Sequence, residues 1–408
     1  MNVLSASKTL ANFVKLKLES RRTNLEIAAR PSEFRDVPVG GHRYRAALFF
    51  ADTQVNLYQA RQWYEPLRQL ARSVPFVIIA KNPATAISLR DECDLPVFFA
   101  KTIGEVEALL ETQQIDAVFY VNQNILNFQM IRFNRPAHIF ISHGESEKSY
   151  MWSNQLKAYD YVFSAGQAAR DRLEKNITRF DAAARTRLVG RPQIDVEYDS
   201  PVQMNKELPT VLYAPTWEGD RPSMTYGSVA THGSGIVGSL LAHGGFNLIF
   251  RPHPRSGFSD PVYRQALVSI KEQIAAANDV SRATYYYDTS HHWGWQWSQA
   301  DICISDISAA AYDFMATGKP LVITKPVSSE ARVDESPALL RLPSMSVAES
   351  SETPSRIAAL LTQSDESYAD LVHHYFGDTS PGASMKRFLN AAMDIIDADL
   401  RAQGTHLN

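Results

Sequence analysis

The chain has 408 residues, room for two or three domains at roughly 150 residues each. It is 45% hydrophobic and 21% charged, with a formal net charge of −3. That is an ordinary globular composition, and it excludes a nucleic-acid binder held by bulk charge. Two cysteines, Cys93 and Cys303, exclude a disulfide framework; both sit among apolar residues and read as reduced core thiols of a cytoplasmic protein. No apolar run approaches the ~20 residues of a membrane span. No apolar stretch with a small-residue cleavage site marks a signal peptide.

Residues 1–42 form a first, basic segment. Leu10, Phe13, Val14, Leu18 and Leu25 recur at nearly helical spacing, with Lys8, Lys15, Lys17, Arg21 and Arg22 between them. A basic amphipathic helix over residues 1–30 can lie on an anionic membrane surface or dock on the body of the protein.

From Tyr44 the pattern alternates between strands and helices. Strands are expected at Ala46–Phe50, Phe76–Ala80, Val97–Phe99, Ala117–Val121 and His138–Ile141. Helices are expected at Asn56–Ala71, Ile87–Asp94 and Ile103–Gln113. Near-continuous apolar strands with helical crossovers imply a parallel sheet covered on both faces. A linker near 190–209 precedes a second set of strands at Thr210–Tyr213, Asn247–Phe250, Tyr285–Tyr287, Ile302–Ile304 and Leu321–Ile323. The chain therefore divides into an α/β half at 43–205, a second at 206–366, and a helical end at 367–408.

Four turns that follow these strands carry polar chemistry. Ser142-His143-Gly144-Glu145-Ser146-Glu147-Lys148 puts an imidazole at a strand's carboxyl end, where it can take a proton from a hydroxyl at neutral pH or cap the next helix. Ala214-Pro215-Thr216-Trp217 offers a hydroxyl and a flat ring, and opens a long loop of the kind that is often functional. Phe250-Arg251-Pro252-His253-Pro254-Arg255 holds a histidine in an extended turn beside two arginines, whose forks suit phosphate oxygens. Ser305-Asp306-Ile307-Ser308-Ala309-Ala310 leads from a strand into a helix; it reads either as an ordinary N-cap or as a helix start facing an anion. Open α/β sheets bind ligands at strand carboxyl ends, so four such turns converge on one kind of site.

No Walker-type loop and no Gly-x-Gly-x-x-Gly opening the first α/β unit is present. His291-His292 lacks partners at metal spacing, so no metal and no cofactor is expected. Trp293, Trp295 and Trp297 recur at a period of two and either line a cleft or pack under the lobe.

These residues resemble a known family, the CDP-glycerol glycerophosphotransferases of teichoic-acid and capsule synthesis. The matching pieces are His143-Gly144 with Lys148, Gly190-Arg191-Pro192 with Asp195, and Tyr213-Ala214-Pro215-Thr216-Trp217. Arg251-Pro252-His253-Pro254, Ser305-Asp306-Ile307-Ser308-Ala309 with Asp313-Phe314, and Asp378, Gly382-Ala383-Ser384 and Lys386-Arg387 complete the set. The resemblance implies a GT-B fold, with two Rossmann-like domains facing across a cleft and C-terminal helices packing back. It implies transfer of glycerol phosphate from CDP-glycerol to a hydroxyl of an envelope glycan or lipid-linked acceptor, with release of CMP. By motif, His143 would be the base and His253 would contact the donor phosphate. Thr216, Arg251, Ser305, Asp306, Ser308, Ala309, Ser384 and Arg387 would lie on the donor side, in the half at 206–366 and the C-terminal segment. Gly144 and Lys148 would lie on the acceptor side.

The chain departs from the family pattern after the first histidine motif. Ser142 replaces an aromatic residue, Glu145 and Glu147 replace threonine and leucine, and Glu330 to Arg341 lacks an arginine–glycine–tyrosine pattern. A GT-B glycosyltransferase using a UDP- or CMP-sugar, and a non-catalytic binding protein on the same fold, are the rival readings.

Overall fold

The computed structural model describes residues 21–331, 336–363 and 366–405. Leu10, Phe13, Val14 and Leu18 of the basic amphipathic stretch, with Lys8, Lys15 and Lys17, lie outside the described residues, as does part of the Glu330–Arg341 segment. Residues 21–29 are helical. There Ile27 is the buried side chain and Leu25, expected on the apolar face, is exposed.

The chain divides into two compact units. The first takes the chain up to His143, Gln155–Phe163 and the end from Leu389; the second takes Gly144–Asn154 and Ser164–Phe388. The last helix, Ala383–Thr405, contributes its first turns to the second unit and the remainder to the first. Within the first unit Arg45 donates from Nη2 to the Ile396 carbonyl at 2.9 Å and pairs with Asp116 at 2.9 Å. Among the described residues, no helix is long and apolar enough to cross a membrane.

The first sheet has seven strands: β1 (Ala46–Phe50), β2 (Phe76–Ala80), β3 (Val97–Phe99), β4 (Ala117–Tyr120), β5 (Ala137–Phe140), β6 (Tyr161–Ser164) and β7 (Thr186–Leu188). They run in the order β3-β2-β1-β4-β5-β6-β7. The second sheet has six: β8 (Thr210–Ala214), β9 (Asn247–Phe250), β10 (Tyr285–Tyr287), β11 (Ile302–Ser305), β12 (Leu321–Thr324) and β13 (Ser344–Met345). Their order is β10-β9-β8-β11-β12-β13. The pairs β1–β2, β1–β4, β8–β9 and β8–β11 are all parallel. Every residue of β1, β2, β4, β8, β9, β11 and β12 is buried, as the unbroken apolar runs require of strands covered on both faces. In both sheets the strand order reverses at the centre, between β1 and β4 and between β8 and β11. Such switch points are where α/β sheets open a crevice beyond the strand ends.

Three local differences from the expected elements have physical causes. The helix expected over Asn56–Ala71 is two helices, Tyr58–Arg61 and Tyr64–Ala71. Pro66 has no N–H to donate, and a restart at Tyr64 places it in a first turn, where donors lack intrahelical partners anyway. The next helix begins earlier than expected, at Pro83, because the Asn82 side chain accepts from Thr85 N–H and proline sits at the first helical position. Strands β6, β7 and β13 were not expected; β13 has only two residues, too few for any periodic signal.

Trp295 and Trp297 are buried in the second unit's core, beside Leu212, Cys303, Phe314 and Tyr375. Gly294, between Trp293 and Trp295, has φ +141°, and a Cβ there would lie 2.2 Å from the Tyr198 ring, so only glycine fits. Each large apolar side chain buried in this way contributes roughly 1.5–3 kcal/mol before entropy is counted. Cys93 and Cys303 are both buried and unpaired.

Candidate active site

His143 follows β5 in the first unit. The residue before it, Ser142, has φ +54°, a left-handed conformation that a non-glycine side chain adopts only when held there. The holding contact is the buried indole of Trp63, which donates to the Ser142 carbonyl. His143 Nδ1 lies 3.2 Å from the Val121 carbonyl, and the ring stands edge-on to Tyr58. A carbonyl only accepts, so Nδ1 carries a proton, and in the neutral ring Nε2 is then the acceptor. The imidazole is thus set in the tautomer a general base needs.

His253 is set the opposite way. In the turn after β9, the backbone N–H of Arg255 donates to His253 Nδ1 at 3.1 Å. Nδ1 is therefore the acceptor, and the neutral ring carries its proton on Nε2. This turn is pinned from the loop after β8. The Glu218 carboxylate accepts from the backbone N–H groups of Gly257 (2.9 Å), Ser259 (2.9 Å) and Asp260 (3.2 Å). Burial pushes the Glu218 carboxyl up, but these donors outweigh it and hold the group below its ordinary value. Arg255 lies over the Trp217 ring, 4.0 Å from its centroid.

Arg251 is buried and its Nη1 donates to Asp288 at 2.6 Å and to Ser290 Oγ at 3.2 Å. Asp288 in turn accepts from Gln296 Nε2 at 2.6 Å. The guanidinium also lies over the Trp293 ring, at 5.3 Å. Among the described residues, its hydrogen bonds run through Nη1 alone, leaving Nη2 and Nε as donors for an incoming oxygen.

The turn after β11 is the polar centre of the second unit. Asp306 is fully buried. Its carboxylate accepts from Thr216 N–H (2.7 Å), from Ser228 N–H (3.1 Å) and from the Thr324 hydroxyl. One side chain thus ties together the carboxyl ends of β8, β11 and β12. Burial pushes this carboxyl up to about 6, against the opposing pull of its donors. Ser305 Oγ donates to the Ala214 carbonyl at 2.6 Å and lies 3.1 Å from Ser308 Oγ. Ser308 caps the helix Ala309–Met315 through Ala311 N–H. Gly144 packs on this turn: a Cβ there would lie 2.6 Å from the Ala309 Cβ. The structure therefore brings Thr216, Ser305, Asp306, Ser308, Ala309 and Gly144 together, with Asp306 as scaffold.

Ser384 and Arg387 form a different cluster. Arg387 donates to the carbonyls of Phe376 (2.9 Å) and Asp378 (2.8 Å) and to Ser384 Oγ (3.2 Å). Both lie against Gly190, which has φ +76° and no room for a Cβ. Asp195 accepts from Gly382 N–H (3.0 Å) and Met385 N–H (2.7 Å) and so caps the start of the last helix. Arg191 pairs with Asp313 at 2.6 Å in the core.

Two features had no role in the sequence reading. Asp288 is one; nothing local in Tyr-Asp-Thr-Ser marks it as the partner of Arg251. The other is the pair Glu145 and Glu147, both buried against Arg172, with Tyr375 Oη donating to Glu147 at 2.6 Å. Burial pushes the Glu145 carboxyl up. Two acids at the family's threonine and leucine positions were the only available signal.

Residues 141–372, more than half of the chain, match the family model CDP-glycerol:poly(glycerophosphate) glycerophosphotransferase. The chain belongs to that family. It is a glycerophosphotransferase-like enzyme, and Ser142 to Lys148 and the second sheet with its turns all fall inside the match. No curated protein sequence matches. Among solved structures the glycerophosphotransferase resembles the wall teichoic acid polymerase TagF, with a TM-score of 0.59 at 13% identity over 98% of this chain and 99% of that one. A TagF variant recorded with CDPG gives 0.57 at 14% identity, covering 98% and 100%. A putative UDP-N-acetylglucosamine 2-epimerase from Listeria monocytogenes gives 0.56 at 11%, covering 88% and 97%. These likenesses establish the α/β fold with two parallel sheets as the GT-B type.

Proposed function

We propose that this enzyme transfers glycerol phosphate from CDP-glycerol to a hydroxyl of a cell-envelope glycan or lipid-linked acceptor. The acceptor oxygen attacks the phosphorus that carries glycerol. The bond from that phosphorus to the bridging oxygen breaks, and CMP leaves with the electron pair. The acceptor's proton passes to His143 Nε2. His253 Nε2–H donates to the donor phosphate, and Arg251 adds charge from Nη2 and Nε as negative charge shifts to the leaving group. Thr216, Ser305, Ser308 and Ala309 frame the donor, and Asp306 positions them. The half at 43–205 takes the acceptor, and the half at 206–366 takes the donor.

The observation that carries this reading is the opposed tautomers of the two histidines. In the neutral rings Nε2 of His143 is then an acceptor and Nε2–H of His253 a donor, which is what a base and an electrostatic clamp respectively require. The family match supports CDP-glycerol as donor. The basic stretch at residues 1–30 would bring the reaction to an anionic membrane face, which vesicle sedimentation of a 1–30 deletion tests; equal sedimentation with and without it removes that role. The donor is tested by nucleotide release from CDP-glycerol, CDP-ribitol, UDP-sugars and CMP-sugars, with envelope glycolipid as acceptor. Acceptor-dependent CMP from CDP-glycerol is the expected result. UDP from a UDP-sugar, or CMP from a CMP-sugar, would move the enzyme to glycosyl transfer.

A further inference from the structure

We infer that Lys148 is a ligand of the donor's diphosphate group, through its ammonium nitrogen, and not part of the acceptor side with which its motif groups it. This rests on the nucleotide-donor reading above.

The loop that carries Lys148 is fixed by its acids. Glu145 and Glu147 both turn to Arg172, and Tyr375 donates to Glu147. Lys148 instead meets Tyr226, with Nζ 5.4 Å from the ring centroid. Tyr226 lies two residues before Ser228, whose N–H is held by Asp306. Gly144, earlier in the same loop, touches Ala309. Lys148 therefore belongs with the turns that carry Thr216, Ser305 and Ser308.

Its ammonium is not tied to a carboxylate of the described residues. Among the described residues Nζ makes no hydrogen bond and no ion pair. Asp306 is near enough to favour the charge, yet its oxygens are taken by Thr216, Ser228 and Thr324. Glu145 and Glu147 are committed to Arg172. Burial pulls Lys148 down to about 8, so the cation is held there less favourably than in water, and an arriving anion would offset that cost. A lysine serves phosphate as a compact point charge with three rotatable donors, which needs no fixed fork geometry. The aromatic face below it supplies further attraction without competing for the N–H donors.

The test is calorimetric binding of CDP, UDP and cytidine to wild type, Lys148→Met and Lys148→Arg, with melting temperatures for all three. Methionine keeps the stem and removes a half-buried charge, so Lys148→Met should melt no lower than wild type. Loss of one charge-assisted contact should weaken CDP binding about 10- to 100-fold and leave cytidine binding unchanged. Lys148→Arg should retain most of the CDP affinity. Equal CDP affinity in wild type and Lys148→Met would overturn the proposal. So would equal losses for CDP and cytidine, a rise in acceptor KM with CDP affinity intact, or a wild type that binds neither nucleotide. A wild type that prefers UDP, with the same dependence on Lys148, would uphold the lysine's role and overturn the CDP-glycerol reading.

Discussion

Asp306 makes a quantitative demand on the second unit. Replacing it by alanine leaves the Thr216 and Ser228 N–H groups buried without an acceptor. At about 1–3 kcal/mol for each unsatisfied donor, the loss is roughly 2–6 kcal/mol. Asparagine is different. Its amide oxygen can accept from both N–H groups, and its amide nitrogen can donate to the Thr324 hydroxyl once that hydroxyl turns. Asp306→Asn should therefore stay within about 1 kcal/mol of wild type at neutral pH. The two also differ in pH dependence. The carboxyl is held at about 6 against 3.8 in the unfolded chain, which makes ionisation in the fold about 3 kcal/mol less favourable. For a raised carboxyl, the stabilisation is fully present below the unfolded value and is lost as pH rises through about 6. Wild type should thus gain on Asp306→Asn by about 3 kcal/mol as pH falls across this window. Urea unfolding of wild type and both variants, as a function of pH, gives the comparison. An asparagine variant as unstable as alanine, or a gap that does not change with pH, would refute Asp306 as a buried acceptor with a raised carboxyl.

Other substitutions follow from single contacts. Gly144→Ala drives a Cβ to 2.6 Å from that of Ala309 and should lower stability by about 1–3 kcal/mol. Adding Ala309→Gly should restore most of it, and additive losses in the double variant would show that the two do not touch. Arg172→Met strands Glu145 and Glu147 in the core and should lower the urea midpoint by the equivalent of about 3 kcal/mol or more; an unchanged midpoint would mean the acids are solvated. Arg251→Met should be rescued in stability, but not in CDP-glycerol affinity, by Asp288→Asn. Recovery of affinity as well would remove Arg251 from the donor site.

The architecture was readable because it depends on long-range regularity. Runs such as Phe76–Ala80 and Leu321–Ile323 are apolar throughout, and a strand buried on both faces requires that. The helix starts were readable where caps are local, as at Ser308, and were missed at Asn82-Pro83 only because the apolar period begins later. Beyond that, the information lies in pairs far apart in sequence. Asp306 reads as a polar residue in a turn, but its partners Thr216 and Ser228 are about ninety and eighty residues away. Ser384 and Arg387 were grouped with the donor by motif, and their bonds to Phe376 and Asp378 and their contact with Gly190 emerge only when the chain is folded. The histidine tautomers were equally hidden, since each is set by one backbone group: the Val121 carbonyl and the Arg255 N–H.

The most direct test is to measure CMP release and CDP-glycerol affinity side by side for wild type and His143→Ala. Turnover should fall by about 10²–10⁴-fold, the usual contribution of a positioned general base, while affinity stays unchanged, because the proposed mechanism gives His143 the proton transfer and no part in donor binding. Turnover that survives the substitution, or a donor affinity that falls in step with it, would contradict the assignment of His143 as the base.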